Sequence, residues 1–182
     1  MFQAISSKII NGVISLSMLF LSTYEGNDAA FAAITANFLG NNIYLKTQLI
    51  NAFENDFEEI FKSGQKIDIF FEIKIKNNSA VIHTNEFKHS VVFDPMSQFF
   101  TIELEEQEKS LSMESYQQLL ETISNVEYSY KGDELTEIDI TLTSFLKKIH
   151  LESINKEYDM MMLWNFKKPK IKQQCIKGEN ES

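Results

Sequence analysis

Between Asn42 and Lys76 the spacing of apolar residues changes twice, and each change marks an element. Ile43, Leu45, Thr47 and Leu49 alternate with Tyr44, Lys46 and Gln48, the period of two of a half-buried strand. From Ala52 the spacing becomes three and four. Ala52, Phe53, Phe57, Ile60 and Phe61 fall on one side, and Glu54, Asn55, Glu58, Glu59 and Lys62 on the other. This predicts an amphipathic helix, acidic early and basic late as the helix dipole favours. Ser63-Gly64 closes it, with glycine free to take the left-handed cap conformation. Ile67, Ile69, Phe71, Ile73 and Ile75 then share one face of a second strand, opposite Asp68, Phe70, Glu72 and Lys74. At about 1.5–3 kcal/mol per fully buried side chain, that face outweighs any surface ion pair.

The same reading continues downstream. Asn77-Asn78-Ser79 is a turn, followed by a short strand over Ala80–Thr84. Lys88–Phe93 and Gln98–Leu104 read as two strands joined by Asp94-Pro95-Met96-Ser97, where proline presets the first corner of a hairpin turn. Glu105–Lys109 is a polar break. Ser112 reads as a helix N-cap, with Leu111 and Tyr116 placed as a hydrophobic staple. Met113, Tyr116, Leu120 and Ile123 form the inner stripe of a second helix ending near Asn125. Lys131-Gly132-Asp133 turns into a strand carrying Ile138, Ile140 and Leu142, which runs irregularly toward Leu151. Tyr158–Phe166 reads as a final strand, Met160, Met162, Trp164 and Phe166 on one face and Met161 and Leu163 on the other. Pro169 stops it, and Lys170–Ser182 is expected to be a mobile tail.

These elements predict an α+β fold: a mostly antiparallel twisted sheet or two-sheet sandwich with two amphipathic helices packed on it. With 182 residues and 43% hydrophobic content, one packed domain is expected, spanning residues 33–168.

Residues 1–32 read as a leader. Lys8 precedes the apolar run Ile9–Ser22, a polar stretch follows, and Ala30-Phe31-Ala32 supplies a small-x-small site. This is the pattern of a secretory signal peptide cut after Ala32. The run is short beside the roughly 20 residues of a membrane span. An uncleaved anchor and an element of the mature fold are the alternatives. The cut site has no cysteine, so lipoprotein processing is excluded.

Charge narrows the partners. The net charge is −9 and all 17 basic residues are lysine. The overall field repels polyanions, and bidentate guanidinium recognition is missing, so nucleic acid is not an expected partner. The Lys, Asn, Ile and Phe bias is that of an AT-rich bacterial genome. Cys175 is the single cysteine, which rules out an intrachain disulfide and a cysteine-based zinc site.

Candidate chemistry is sparse. His83, Glu86 and His89 could in principle supply two imidazoles and a carboxylate to a metal, but the spacing fits no ligand motif. Glu54, Asp56, Glu58 and Glu59 lack the glycine and alternating oxygens of a calcium loop and read as a solvated helix face. Glu103, Glu105, Glu106 and Glu108 read as a polar strand end. No nucleophile elbow, phosphate loop or dinucleotide fingerprint occurs. No catalytic, cofactor or metal residue is therefore assigned. The candidate partner or ligand surface is Met161, Leu163 and Trp164, an adaptable apolar edge, with Lys167, Lys168, Lys170 and Lys172, a basic end on an acidic protein.

The order of units resembles a family. A first strand after the A-x-A site is followed by strand, helix, Ser63-Gly64 and strand. Then come a hairpin with Phe93-Asp94 before its turn, a helix, and a late strand holding Trp164. Over about residues 33–168 this resembles a family of exported bacterial proteins of unknown function, some of them encoded beside nitrogen-regulation-type sensor kinases. The resemblance implies export and a β-rich fold, and no activity. The expected function is thus that of a non-enzymatic periplasmic or envelope protein acting through protein–protein contacts. Its expected partner is another envelope protein, with peripheral membrane contact through the lysines. The alternatives are a module holding an apolar small molecule or lipid between sheet and helices, and an enzyme of unspecified reaction.

Overall fold

The computed structural model describes residues 26–55, 57–132, 135–151 and 155–177, without the side chains of 151 and 156. Most of the expected leader, and its apolar run, lie outside the described residues. Two antiparallel sheets stack face to face, as the alternating strands require. In the smaller, β3 (Asn42–Ile50) is central. β1 (Ala30–Phe31) and β2 (Thr35–Leu39) follow each other along one edge of it, and β8 (Asn125–Lys131) lies along the other. The larger sheet has the order β12-β9-β4-β5-β6-β7. Its strands are β4 (Ile67–Asn77), β5 (Ala80–Asp94), β6 (Phe99–Leu104), β7 (Lys109–Met113), β9 (Glu137–Leu146) and β12 (Lys170–Ile176). A small hairpin, β10 (Lys148–Leu151) with β11 (Lys156–Asp159), stands apart. Both helices lie in connections between sheets: α1 (Phe57–Phe61) between β3 and β4, and α2 (Tyr116–Ser124) between β7 and β8.

The core is the meeting of the two inner faces. Ile34, Leu45, Thr47, Val126 and Tyr128 of the small sheet oppose Ile73, Ile140 and Leu142 of the large one. The gap they leave is only about 10 Å³. Every inward residue predicted on β3 and β4 is buried. At the seam, the amide of Gln173 on β12 mimics a strand. Its Oε1 accepts from Ile34 N at 2.7 Å and its Nε2 donates to Ile34 O at 2.6 Å. One side chain thus ties the edge of the large sheet to the small one.

Several expectations change. α1 is shorter than the predicted helix, because Asn51 and Asn55 take left-handed conformations, φ 52° and 58°. The Ala52 carbonyl instead accepts from Trp164 Nε1 at 2.8 Å. Ala52 and Phe53 stay buried, so the amphipathic spacing reports burial even where the helix is absent. Ala80–Asp94 is one continuous strand, β5, reached through the left-handed pair Asn78-Ser79, the conformation of a two-residue hairpin turn. Lys109–Met113 is strand β7, not the start of a helix. The cap is Ser115, whose hydroxyl accepts from Gln118 N at 3.4 Å. β8 follows α2 directly.

The largest correction concerns Tyr158–Phe166. Strand β11 ends at Asp159, whose carboxylate accepts from Met161 N at 3.0 Å. This caps a 3₁₀ turn over Met160–Trp164, closed by left-handed Asn165 and Phe166. Pro169 does not end the fold either. It is buried, its carbonyl accepts from Ser144 N at 3.0 Å, and the expected tail from Lys170 to Ile176 is the edge strand β12. At the other end, Asn27 is buried and Ala30–Phe31 is a strand. Residues on both sides of the expected 33–168 boundary therefore belong to the same folded unit.

Candidate functional site

Met161, Leu163 and Trp164 do not form a surface. All three are buried, Trp164 to 1% exposure. The tryptophan ring sits 6.3 Å from Phe53, which packs on Phe57 and Phe61. Met161 Sδ lies 3.2 Å from Leu146 N. A 3₁₀ turn of five apolar residues tucks them inward where a strand would have left one side out. The four lysines of the expected surface remain: Lys167, Lys168, Lys170 and Lys172 are all exposed.

Pairing builds a face from them. Lys170 stands opposite Thr143 and Lys172 opposite Thr141, while Phe145 is opposite Phe70, so all point outward from the large sheet. Phe70 and Phe145 stack, centroids 5.5 Å apart and planes 15° from parallel. Lys147 Nζ lies 3.6 Å above Phe70, and Lys168 Nζ lies 4.7 Å from the Phe145 centroid, within the range of a cation–π attraction. Three other lysines of this face are neutralised, Lys147 by Glu86 at 3.0 Å, Lys88 by Asp68 at 3.0 Å and Lys74 by Glu72 at 2.7 Å. Lys168, Lys170 and Lys172 form no ion pair with a described carboxylate. β12 thus presents lysines with no paired carboxylate among the described residues, on an edge strand of the large sheet.

Beside this face is the Asn165-Phe166 turn. Phe166 is 69% exposed with φ 58°, fixed by its N–H donating to Met161 O at 2.8 Å. The first described residue packs here, with Asn165 Nδ2 donating to Gly26 O at 3.2 Å. A Cβ on Gly26 would run into the Asn165 side chain and come 2.8 Å from the Asn165 backbone nitrogen, so glycine is required for this approach. Lys167 lies 3.9 Å from Asp28.

The opposite end of the sandwich holds hairpin tips. His83, which pairs with Ile75 near the end of β4, has its ring 4.9 Å from that of Tyr130, itself paired with Ile43. The tips that follow, one carrying Leu39 and one carrying Val81 and Ile82, therefore share an end. These side chains are 64%, 56% and 38% exposed. Tyr128 OH lies 2.6 Å from His83 Nε2. Burial pushes the Tyr128 phenol up, so it stays protonated and able to donate at neutral pH.

His83, Glu86 and His89 do not converge. His83 meets Tyr128, Glu86 points to the other face, and His89 lies six residues on, about 20 Å along a strand. Among the described residues no cluster of three metal-ligating side chains occurs. His89 instead forms a pair that sequence reasoning missed. Both side chains, His89 and Glu106, are fully buried, with Nε2 3.0 Å from Oε1. His89 Nδ1 lies 2.8 Å from Ile123 O. A carbonyl can only accept, so Nδ1 carries a proton and Nε2 shares one with the carboxylate. Gln107 Nε2 also donates to Oε1, while Oε2 has no hydrogen-bond partner among the described residues. A histidine–carboxylate pair can move protons. In this one the side chains have no solvent exposure, Glu106 borders the neighbouring groove, and the pair pins the 105–107 turn and the end of α2 to β5. The signal was present in the alternation Phe87, His89, Val91, Phe93, where a histidine on an apolar face demands a polar partner.

A shallow groove of about 440 Å³ lies beside this turn, walled by Tyr44, Lys46, Lys109, Glu127 and Tyr128 among others. Lys46 and Glu127 pair across it at 2.9 Å. Their hydrogen bond holds the Glu127 carboxyl below the usual range and the Lys46 ammonium above it.

The fold and its surfaces define an α+β sandwich with a cationic, aromatic outer face, an exposed phenylalanine at one end and apolar hairpin tips at the other. Comparisons with protein-family models, with curated proteins and with solved structures found no match to this chain.

Proposed function

We propose that the protein is a non-enzymatic, exported protein of the bacterial envelope that works by contact with another envelope protein. The observation that carries this reading is the exposure of Leu39, Val81 and Ile82 on hairpin tips at one end of the sandwich. Large apolar side chains on rigid tips lose water only when another surface covers them. The void between the sheets is about 10 Å³, far below the roughly 300 Å³ of a small-molecule site, so the alternative of an apolar ligand between sheet and helices rests on the open groove of about 440 Å³ between β3 and α2, lined by Leu49, Phe53 and Leu120 among others.

The test combines fractionation with site-specific photo-crosslinking in the native host. A crosslinker at Val81 or Leu39 is expected to capture one discrete envelope protein, and one at exposed Gln117 on α2 to capture none. Recovery of the full-length chain in the cytosol, or crosslinks independent of position, would sink the reading.

A further inference from the structure

We propose that the Phe166–Lys172 edge of the large sheet rests on an anionic lipid bilayer, held there by an N-terminal segment that is not cut after Ala32. The proposal builds on the export reading above and names the surface against which the protein sits.

The first argument is that residues 26–32 are part of the fold. Asn27 is 4% exposed, and its N–H donates to Leu163 O at 2.8 Å. Its side chain donates to Glu54 O at 3.3 Å and accepts from Asn55 Nδ2 at 3.1 Å. Ala30 and Phe31 pair with Ile50 and Leu49, and the Phe31 ring lies 6.5 Å from Phe71. Ala32 donates its N–H to Gln48 O at 2.9 Å and accepts from Thr47 Oγ1 at 2.8 Å. Cleavage after Ala32 would strip all of this from the folded protein.

The second argument is reach. Gly26 sits on Asn165, so the chain before it departs beside Phe166. Ser22 ends the apolar run Ile9–Ser22 and lies four residues upstream. Four residues of fully extended chain cover at most about 14 Å. A bilayer that takes up the apolar run is therefore held within that distance of Phe166, Lys167 and Lys168.

The third argument is complementarity. An exposed aromatic ring among lysines suits the headgroup layer of a membrane. Lys168, Lys170 and Lys172 form no ion pair with a described carboxylate, and Lys167 lies 3.9 Å from the exposed Asp28. The chain as a whole carries −9, so an anionic surface repels most orientations and accepts this one. The hairpin tips stand about 23 Å along β4 from Phe70, counting seven residues to Asn77 at roughly 3.3 Å each, and Lys172, opposite Thr141 and so level with Lys74, lies between the two.

The experiment uses full-length protein and sedimentation with vesicles of phosphatidylcholine alone or with one-third phosphatidylglycerol. Binding is expected to be tighter to the anionic vesicles. Lys170→Gln/Lys172→Gln should lower that affinity by about fivefold per lysine, on the order of 25-fold together, and leave binding to phosphatidylcholine unchanged. Lys109→Gln/Lys131→Gln, on β7 at the opposite edge of the large sheet and on β8 of the small sheet, should change neither. Equal binding to both vesicles, or equal loss in both double variants, overturns the lipid contact. The N-terminus of the native protein, read by mass spectrometry, is expected at or before Ile9, and an N-terminus after Ser22, Ala33 included, overturns the retained segment even if the protein is exported. Lysine-dependent binding by a chain found in the cytosol would support the surface while refuting export.

Discussion

His89 and Glu106 carry two ionisable groups into an apolar interior, and their value lies in being together. Removing one partner leaves a buried charge or an orphaned polar group, which typically costs about 3–5 kcal/mol, while replacing both with apolar groups is far milder. We predict that His89→Phe destabilises the protein by about that amount in urea denaturation and that His89→Phe/Glu106→Leu recovers most of it. Additive losses would show that the two side chains act independently. Cys175 gives a second test at this scale. It is buried, and desolvation pushes its thiol up, so little thiolate forms and none is accessible. A thiol-specific reagent should leave the native protein unmodified at neutral pH and label it fully once unfolded. Rapid native labelling would mean that β12 opens.

Among the elements, β12 shows how far a local reading reaches. Its lysines and the preceding proline resemble a disordered end, yet the odd-numbered Ile171, Gln173 and Cys175 face inward against the small sheet. The joint is the Gln173 amide. Gln173→Leu keeps the size but leaves the Ile34 N–H and C=O without their partner, and each such group left unmet costs about 1–3 kcal/mol where water cannot replace it. A loss of 1–3 kcal/mol is the expected result, against under about 0.5 kcal/mol for Gln174→Leu on the exposed face. Equal effects would remove the seam. β7 and α2 make the same point. Ser112 and Ser115 both precede an apolar stripe, but only Ser115 has glutamine three residues on, the capping-box spacing. Ser112 is instead consumed by pairing with Thr101, which no local pattern reveals.

For the whole molecule, the decisive region is where the chain enters and where it nearly ends. Gly26–Ala32, the Met160–Phe166 turn and β12 are packed together, although more than a hundred residues separate them. A chain beginning at Gly26 is expected to unfold at a higher denaturant midpoint than one beginning at Ala33, which lacks β1 and the Asn27 hydrogen bonds. Identical midpoints would mean that the segment adds nothing to stability, the outcome expected if the chain is cut at the A-x-A site.

The sequence alone determined the alternation of β3, β4 and β9, the Asp94-Pro95 hairpin, the left-handed Gly64 and the α+β class. Each follows from a period of side-chain burial or from a residue that only one turn tolerates, and both are local. The lysines of the candidate face were also legible, since charge stays at the surface. Only the tertiary structure decided that Met161, Leu163 and Trp164 are core, that Lys170–Ile176 is a strand, and that His89 meets Glu106. Those outcomes depend on partners far along the chain. A run such as Met160–Trp164 is apolar on every side, so its periodicity cannot say which way it turns; Asp159 at its start and the Ala52 carbonyl across the fold make that choice.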